Sequence, residues 1–162
     1  MSKYVPKGEK FTRNLIKGKI AEIVFEQMLR ETKMFTVIHF GYEYVLPELV
    51  SSTDADKYSD TVEALRTAPD FAVINKKTSN VHLIEVKYLR VMSKKIILSY
   101  AIRMSKSWNP SHLFVASGTG FYFDDISDII KNKGSITKLH HPQIPQKLQD
   151  KYLKILNTSE PS

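Results

Sequence analysis

Residues 69–89 read PDFAVINKKTSNVHLIEVKYL. Two runs rich in β-branched and aromatic residues, 70–75 and 81–89, flank the polar sequence KKTSN, which is typical of a β-hairpin. Because both faces of both runs are largely apolar, we expect the hairpin to lie inside a sheet rather than at its edge.

The register of this hairpin determines which side chains meet. If its loop holds two or four residues and Asn75 lies opposite Asn80, Asp70 falls directly across from Glu85. Residues that face each other in an antiparallel pair have Cβ atoms about 5 Å apart. Lys87 follows two residues later on the same face. The hairpin therefore predicts two carboxylates and an ammonium grouped on an otherwise apolar face, and a slip of one residue would separate them.

Two like charges on an apolar sheet face are destabilising unless they are neutralised. Lys87 can offset one of them, and a divalent cation bound by Asp70 and Glu85 would offset the remainder. Oxygen ligands and the lack of cysteine favour Mg²⁺ or Mn²⁺ over zinc. Such an ion activates water and stabilises charge on a phosphate.

The segments around the hairpin alternate between helical and strand patterns. The spacing predicts an amphipathic helix over 14–33, with an apolar face and an opposite polar arc that carries Glu22 and Glu26. Asp60 and Glu63 have the spacing of a capping box before a short helix that ends near Arg66. Further elements are predicted as strands at 34–40 and 112–117 and as helices at 92–107, 124–132 and 146–156. The order α-β-β-β-α-β, with helical additions, predicts a mixed α/β fold.

Length and composition limit the class of protein. The chain has 162 residues, of which 42% are hydrophobic and 25% charged, as expected for one globular domain. It has no cysteine, which excludes disulfides, thiolate metal sites and cysteine nucleophiles. No apolar run reaches the roughly 18 residues of a membrane span, and no apolar segment follows the basic N-terminus. We therefore expect a soluble protein of the cytoplasm without a membrane partner.

Charge is unevenly distributed along the chain, whose net charge is +7. Residues 1–33 carry eight basic and four acidic side chains, and residues 76–111 carry eight basic side chains and one acidic. Between them, residues 34–75 carry two basic and seven acidic side chains. Basic surfaces of this kind attract polyanions such as nucleic acids, although a solvated lysine-rich surface has the same composition.

Three short motifs together resemble the PD-(D/E)XK nuclease superfamily, which has a restriction-endonuclease-like or Holliday-junction-resolvase-like core. They are Pro69-Asp70, Glu85-Val86-Lys87 at the end of an apolar strand, and Lys17-Gly18-Lys19-Ile20-Ala21-Glu22 in the preceding helix. The resemblance covers Gly18 to Ser117. A Glu-x-Lys motif alone has little specificity, and the chain contains a second one, Glu31-Thr32-Lys33.

The resemblance implies a metal-dependent endonuclease that hydrolyses phosphodiester bonds, usually in DNA. Asp70 and Glu85 would bind Mg²⁺ or Mn²⁺, Glu22 would be a further acidic ligand, and Lys87 would orient or activate the attacking water. We expect one nuclease-like domain over residues 1–162, with a core at about 14–117. A C-terminal helical extension at about 124–156 follows, which the resemblance does not explain. Many members form homodimers. The long acidic segment 41–67 departs from the minimal members and leaves substrate specificity open.

Several alternatives remain open on the sequence alone. Glu22 lies on the polar arc of its helix, where a solvated glutamate fits as well as a ligand. Lys95, Arg103 and Lys106 form one stripe that either follows a nucleic-acid backbone or is a solvated face. The alternative functions are a non-catalytic nucleic-acid-binding module, an RNA-directed endonuclease with His39 as added ligand, and a protein that binds a partner through segment 41–67.

Overall fold

A computed structural model describes residues 7–41 and 59–159 of the chain. Its five helices are α1 (Lys7–Glu31), α2 (Ser59–Arg66), α3 (Lys94–Ser105), α4 (Ile126–Lys131) and α5 (Gln146–Thr158). Its five strands are β1 (Phe35–His39), β2 (Phe71–Asn75), β3 (Val81–Tyr88), β4 (His112–Ser117) and β5 (Gly120–Asp125). Of the predicted acidic segment 41–67, residues 42–58 lie outside the described part. No helix in the described ranges is long and apolar enough to cross a membrane.

The strands form one mixed sheet in the order β1-β2-β3-β4-β5. Neighbouring strands are antiparallel except β3 and β4, which are parallel and are connected through α3. The predicted α/β class is confirmed, and the order α-β-β-β-α-β is present with α2 inserted before β2. As predicted, the hairpin lies inside the sheet.

The hairpin has the predicted register. Phe71 pairs with Ile84, and the N–H of Asn75 donates to the main-chain oxygen of Asn80 at 3.0 Å. The side chain of Asn75 closes the loop, because its Oδ1 accepts from the N–H of Lys77 at 2.9 Å. This register places position 70 across from position 85, as the sequence predicts.

Helices cover the two faces of the sheet and form separate apolar cores. One core joins α1 and α5 to side chains such as Phe71, Val86 and Phe114. The other joins α3 and α4 to Leu113 and Val115 of β4. Residues of one strand alternate between the two cores, as the pleat requires. The helix predicted at 92–107 is present as α3, and three residues at helical spacing form its buried face: Ile97, Ala101 and Met104.

The C-terminal part of the chain differs most from the predictions. No strand was predicted between β4 and the helix expected at 124–132, whereas the structure has the edge strand β5 at Gly120–Asp125, and α4 begins only at Ile126. Asp125 ends that strand and caps α4, since its carboxylate accepts from the N–H of Ser127 at 2.7 Å. The sheet therefore extends beyond the predicted core boundary at 117.

Helix α5 is anchored to α1 rather than attached at the periphery. Leu156 is fully buried in the core beside α1. The side chain of Lys17, only 5% exposed, donates from Nζ to the main-chain oxygen of Leu156 at 2.8 Å. A cation at the C-terminal turn of a helix satisfies a carbonyl and complements the helix dipole.

Two predicted details of the helices are corrected. Asp60 lies inside the first turn of α2, which begins at Ser59, rather than at its N-cap. On α1, the predicted polar arc is only partly solvated: the side chains of Glu22 and Glu26 are 23% and 15% exposed. The reason is that α1 lies along the sheet, and its C-terminal half presents this arc to the ends of β1 and β2.

Candidate active site

Asp70 is held immediately before β2 by contacts with the two neighbouring strands. Its Oδ2 accepts from the N–H of Val86 in β3 at 2.8 Å. Its main-chain oxygen accepts from the N–H groups of Phe40 and Gly41, at 2.9 and 3.2 Å, at the end of β1. Gly41 is buried, and a Cβ built on it lies 3.5 Å from the Cα of Asp70. The backbone thus fixes the position of this carboxylate.

Glu85 and Lys87 extend from β3 toward α3. The ammonium of Lys87 lies 3.9 Å from Oε1 of Glu85 and 5.1 Å from the ring centre of Tyr100. The Glu85 side chain is only 12% exposed, whereas that of Lys87 is 38% exposed. The lysine therefore offsets part of the buried negative charge and remains accessible from solvent.

Glu22 brings a third carboxylate to the same place from α1. It is in hydrogen-bonding contact with Asp70, and its Oε2 lies 3.3 Å from the ammonium of Lys19. The helical wheel assigned Glu22 to a solvated arc, but the packing of α1 turns it toward the sheet. The structure therefore brings together the predicted residues Glu22, Asp70, Glu85 and Lys87.

Burial and mutual repulsion raise the pKa of these carboxyl groups. Burial, with the contact to Glu85, raises the pKa of Asp70 to about 8. Burial and the neighbouring Asp70 raise the pKa of Glu22 to about 7. Burial also raises the pKa of Glu85. The raised pKa values show that the nearby cations do not fully compensate for the buried carboxylates. Carboxyl groups perturbed in this way are characteristic of functional sites.

These side chains line a pocket of about 370 Å³ between α1, α2, α3 and the sheet. Four cationic side chains, from α1, α2, β3 and α3, contribute to the wall: Lys19, Arg66, Lys87 and Arg103. Apolar side chains complete it, among them Ile23, Phe71 and Met104. Cations around a carboxylate cluster suit a ligand that carries negative charge of its own.

The predicted basic stripe on α3 is divided by this geometry. Arg103 lines the pocket, and its Nη2 lies 3.4 Å from Oε1 of Glu63 in α2. Lys95 of α3 and Lys106, the C-cap residue of that helix, are exposed and lie outside the pocket lining. Of the three predicted nucleic-acid contacts, the structure therefore brings one next to the carboxylates.

Glu26 and His39 contact each other in the pocket, a pairing that the sequence did not predict. Glu26 was expected only on the polar arc of α1, and His39 only as the added ligand of an RNA-directed endonuclease. Nε2 of His39 lies 3.1 Å from Oε2 of Glu26, whose Oε1 lies 3.0 Å from Nη2 of Arg30. His39 also packs on the ring of Phe71. A signal was present for Glu26, which is one helical turn after Glu22. For His39 the signal is the pairing of β1 with β2, which places His39 opposite Phe71 and so beside Asp70.

The donor chemistry of the cluster fits a hard divalent cation, because its ligands are carboxylate oxygens whose negative charge Lys19 and Lys87 offset only in part. The carboxyl groups, however, contact one another: Glu22 with Asp70, and Asp70 with Glu85. Within residues 7–41 and 59–159, no group of three or more acidic or histidine side chains is arranged to hold a metal ion. The three carboxylates therefore share one pocket without forming a ready-made ligand set.

Comparisons with known proteins do not assign the chain to a family. No protein-family model matches it, and neither a curated protein nor a solved structure does. Its function must be inferred from the geometry of this site.

Proposed function

We propose that the protein is a metal-dependent endonuclease of the PD-(D/E)XK type that hydrolyses phosphodiester bonds in DNA. The observation that supports this most strongly is the meeting of Asp70, Glu85 and Lys87 with Glu22 in one partly buried pocket. Glu85 and Lys87 come from β3, Asp70 from the residue before β2 and Glu22 from α1, which is the element order that the resemblance implies. Dimerisation stays a prediction from the resemblance.

In this proposal Asp70, Glu85 and Glu22 hold Mg²⁺ or Mn²⁺. When bound, the ion supplies the positive charge that stabilises the phosphate in the transition state and makes water a stronger nucleophile. Lys87, anchored near Glu85 and Tyr100, orients the attacking water and stabilises the negative charge that develops on the phosphate. Arg103 and Arg66 bind neighbouring phosphates of the strand as bidentate donors.

The test is cleavage of labelled DNA and RNA in Mn²⁺ or EDTA by the wild type, Glu85→Gln and Lys87→Met. Each substitution removes one charge at nearly constant volume. We expect metal-dependent cleavage of DNA that falls at least about a hundredfold in either variant.

The second Glu-x-Lys motif provides the matched control. Glu31→Gln changes the same residue type in Glu31-Thr32-Lys33, where Glu31 contacts Lys151 and does not line the pocket. This variant should cleave at the wild-type rate. Cleavage that is insensitive to Glu85→Gln would overturn the assignment. Binding of DNA without cleavage would favour the non-catalytic module, and cleavage of RNA alone would favour the RNA-directed enzyme.

A further inference from the structure

A second pocket of about 270 Å³ lies on the other side of the carboxylates, between α1 and the C-terminal end of β3. It shares five lining residues with the first pocket: Lys19, Glu22, Asp70, Glu85 and Lys87. The two pockets therefore meet over the carboxylate cluster. Together they form a groove that runs from Leu15 and Tyr88, past the candidate active site, to Arg66 and Arg103.

We propose that this groove takes a single, unpaired DNA strand, with one nucleotide in each pocket and the phosphodiester between them over the carboxylates. This inference rests on the proposed function for the chemistry, and it adds the class of substrate.

The depth of the carboxylates argues against intact duplex. The side chains of Glu85 and Glu22 are only 12% and 23% exposed, so a phosphodiester must enter the groove to reach them. In a duplex, pairing holds each backbone on the outside of a wide, stiff cylinder. Each pocket is near the lower limit of small-ligand sites, roughly 300 Å³, which is suited to a single nucleotide unit.

The lining has the chemistry of single-strand binding. Such sites combine cations that follow the backbone with aromatic rings on which bases stack. Each pocket contributes one tyrosine, Tyr100 in the first and Tyr88 in the second. Each ring also has a lysine ammonium over it, that of Lys87 at 5.1 Å from Tyr100 and that of Lys17 at 5.5 Å from Tyr88. Lys19 lies where the pockets meet, and Arg66 and Arg103 lie at one end.

Gly18 supplies an independent indication of where the strand passes. It lies in the interior of α1, where glycine weakens a helix relative to alanine. No described atom outside the adjacent chain lies within 4 Å of a Cβ built on it, so packing does not require glycine there. Gly18 lines the second pocket beside Glu22. A missing side chain at this point leaves room for a ligand backbone to approach the helix closely.

Binding is tested first, in EDTA, by fluorescence anisotropy of a labelled oligonucleotide, as a single strand and as a blunt duplex of the same sequence. We expect single-strand binding to be at least about tenfold tighter. Gly18→Leu should weaken it at least about tenfold by filling the groove. Gly8→Leu is the matched control, because Gly8 lies in the same helix with open space around it and outside both pockets. Circular dichroism establishes that both variants fold.

Cleavage is then measured on a duplex with an unpaired tail, with Mn²⁺. Cuts confined to the tail and lost in Gly18→Leu support the groove. Equal binding and cleavage of duplex, or equal effects of the two leucine variants, would overturn it while leaving the nuclease proposal in place. Single-strand binding that is sensitive to Gly18→Leu, without cleavage of any substrate, would support the groove and refute the nuclease.

Discussion

Asp70 links three strands, but its burial opposes the ionised form that a metal ligand needs. Its main-chain oxygen accepts from the end of β1 and its Oδ2 accepts from β3, so Asp70 links the strands on both sides of β2. The same burial raises its pKa from 3.8 to about 8, so the folded protein favours the protonated form. A group of this kind stabilises the fold when protonated and weakens it when ionised.

The stability of the metal-free protein should therefore depend on pH in a defined direction. Asp70 has the higher pKa in the folded state, so its contribution is fully present below about pH 4 and is lost as pH rises through about 8. Glu22, with a pKa of about 7, acts in the same direction. We expect the unfolding free energy in EDTA to fall by a few kcal/mol between pH 5 and 9, because one pKa unit corresponds to about 1.4 kcal/mol.

The variant Asp70→Asn tests this assignment by urea unfolding across the same pH range. Asparagine can still accept from the N–H of Val86 but does not titrate. It should therefore reduce the loss of stability at high pH, whereas Glu63→Gln on the exposed face of α2 should leave the profile unchanged. A wild-type profile that rises with pH, or one that Asp70→Asn does not alter, would show that Asp70 is ionised throughout.

Replacing glycine by alanine should have opposite effects on stability at Gly134 and at Gly18. Gly134, after α4, has φ +95°, and a Cβ built on it lies 2.0 Å from the main-chain oxygen of Lys94 at the start of α3. Gly134→Ala should therefore cost more than about 2 kcal/mol, since both backbone strain and a clash oppose it. Gly18→Ala should instead stabilise the protein by about 0.5–1 kcal/mol, because alanine favours the helix and meets nothing.

Thermal unfolding of the two alanine variants checks both signs in one experiment. A stable Gly134→Ala variant would show that α3 and α4 are not packed as described. A destabilised Gly18→Ala variant would show that the fold requires this glycine. Gly18 would then no longer indicate where a DNA strand lies against α1.

The elements that sequence reasoning predicted correctly are those with strong periodicity and local signals. The hairpin is defined by two apolar runs rich in β-branched residues on either side of a polar loop, and helix α3 by its buried residues at helical spacing. Strand β5 was missed although Phe121 and Phe123 alternate in it. The acidic pair at its end has the composition of a helix start, and Asp125 does cap α4.

The candidate site was predictable where strand register alone decided it. Asp70, Glu85 and Lys87 follow from pairing within one hairpin. Hairpin pairing does not predict the positions of Glu22, Glu26 and His39. These positions depend on how α1 lies against the sheet and on which strand is next to β2. A helical wheel defines the apolar face of α1 but not which polar residues face the ends of the strands.

Over the whole chain, a basic protein with net charge +7 contains a buried acidic cluster. Positive side chains on distant parts of the surface do not stabilise this cluster, because water and salt screen their charge. An ion that binds the folded protein and not the unfolded chain shifts the folding equilibrium. Because the ligands must be ionised, its binding releases the protons that the carboxyl groups hold.

The most direct measurement is isothermal titration with Mn²⁺ at pH 7 in two buffers of different ionisation enthalpy. Because Asp70 and Glu22 have pKa values of about 8 and about 7, we predict that each bound ion releases about one proton or more. Asp70→Ala should abolish binding, and Glu31→Gln should leave it unchanged. Absence of Mn²⁺ binding, or binding that Asp70→Ala does not weaken, would contradict the assignment of these carboxylates as a metal centre.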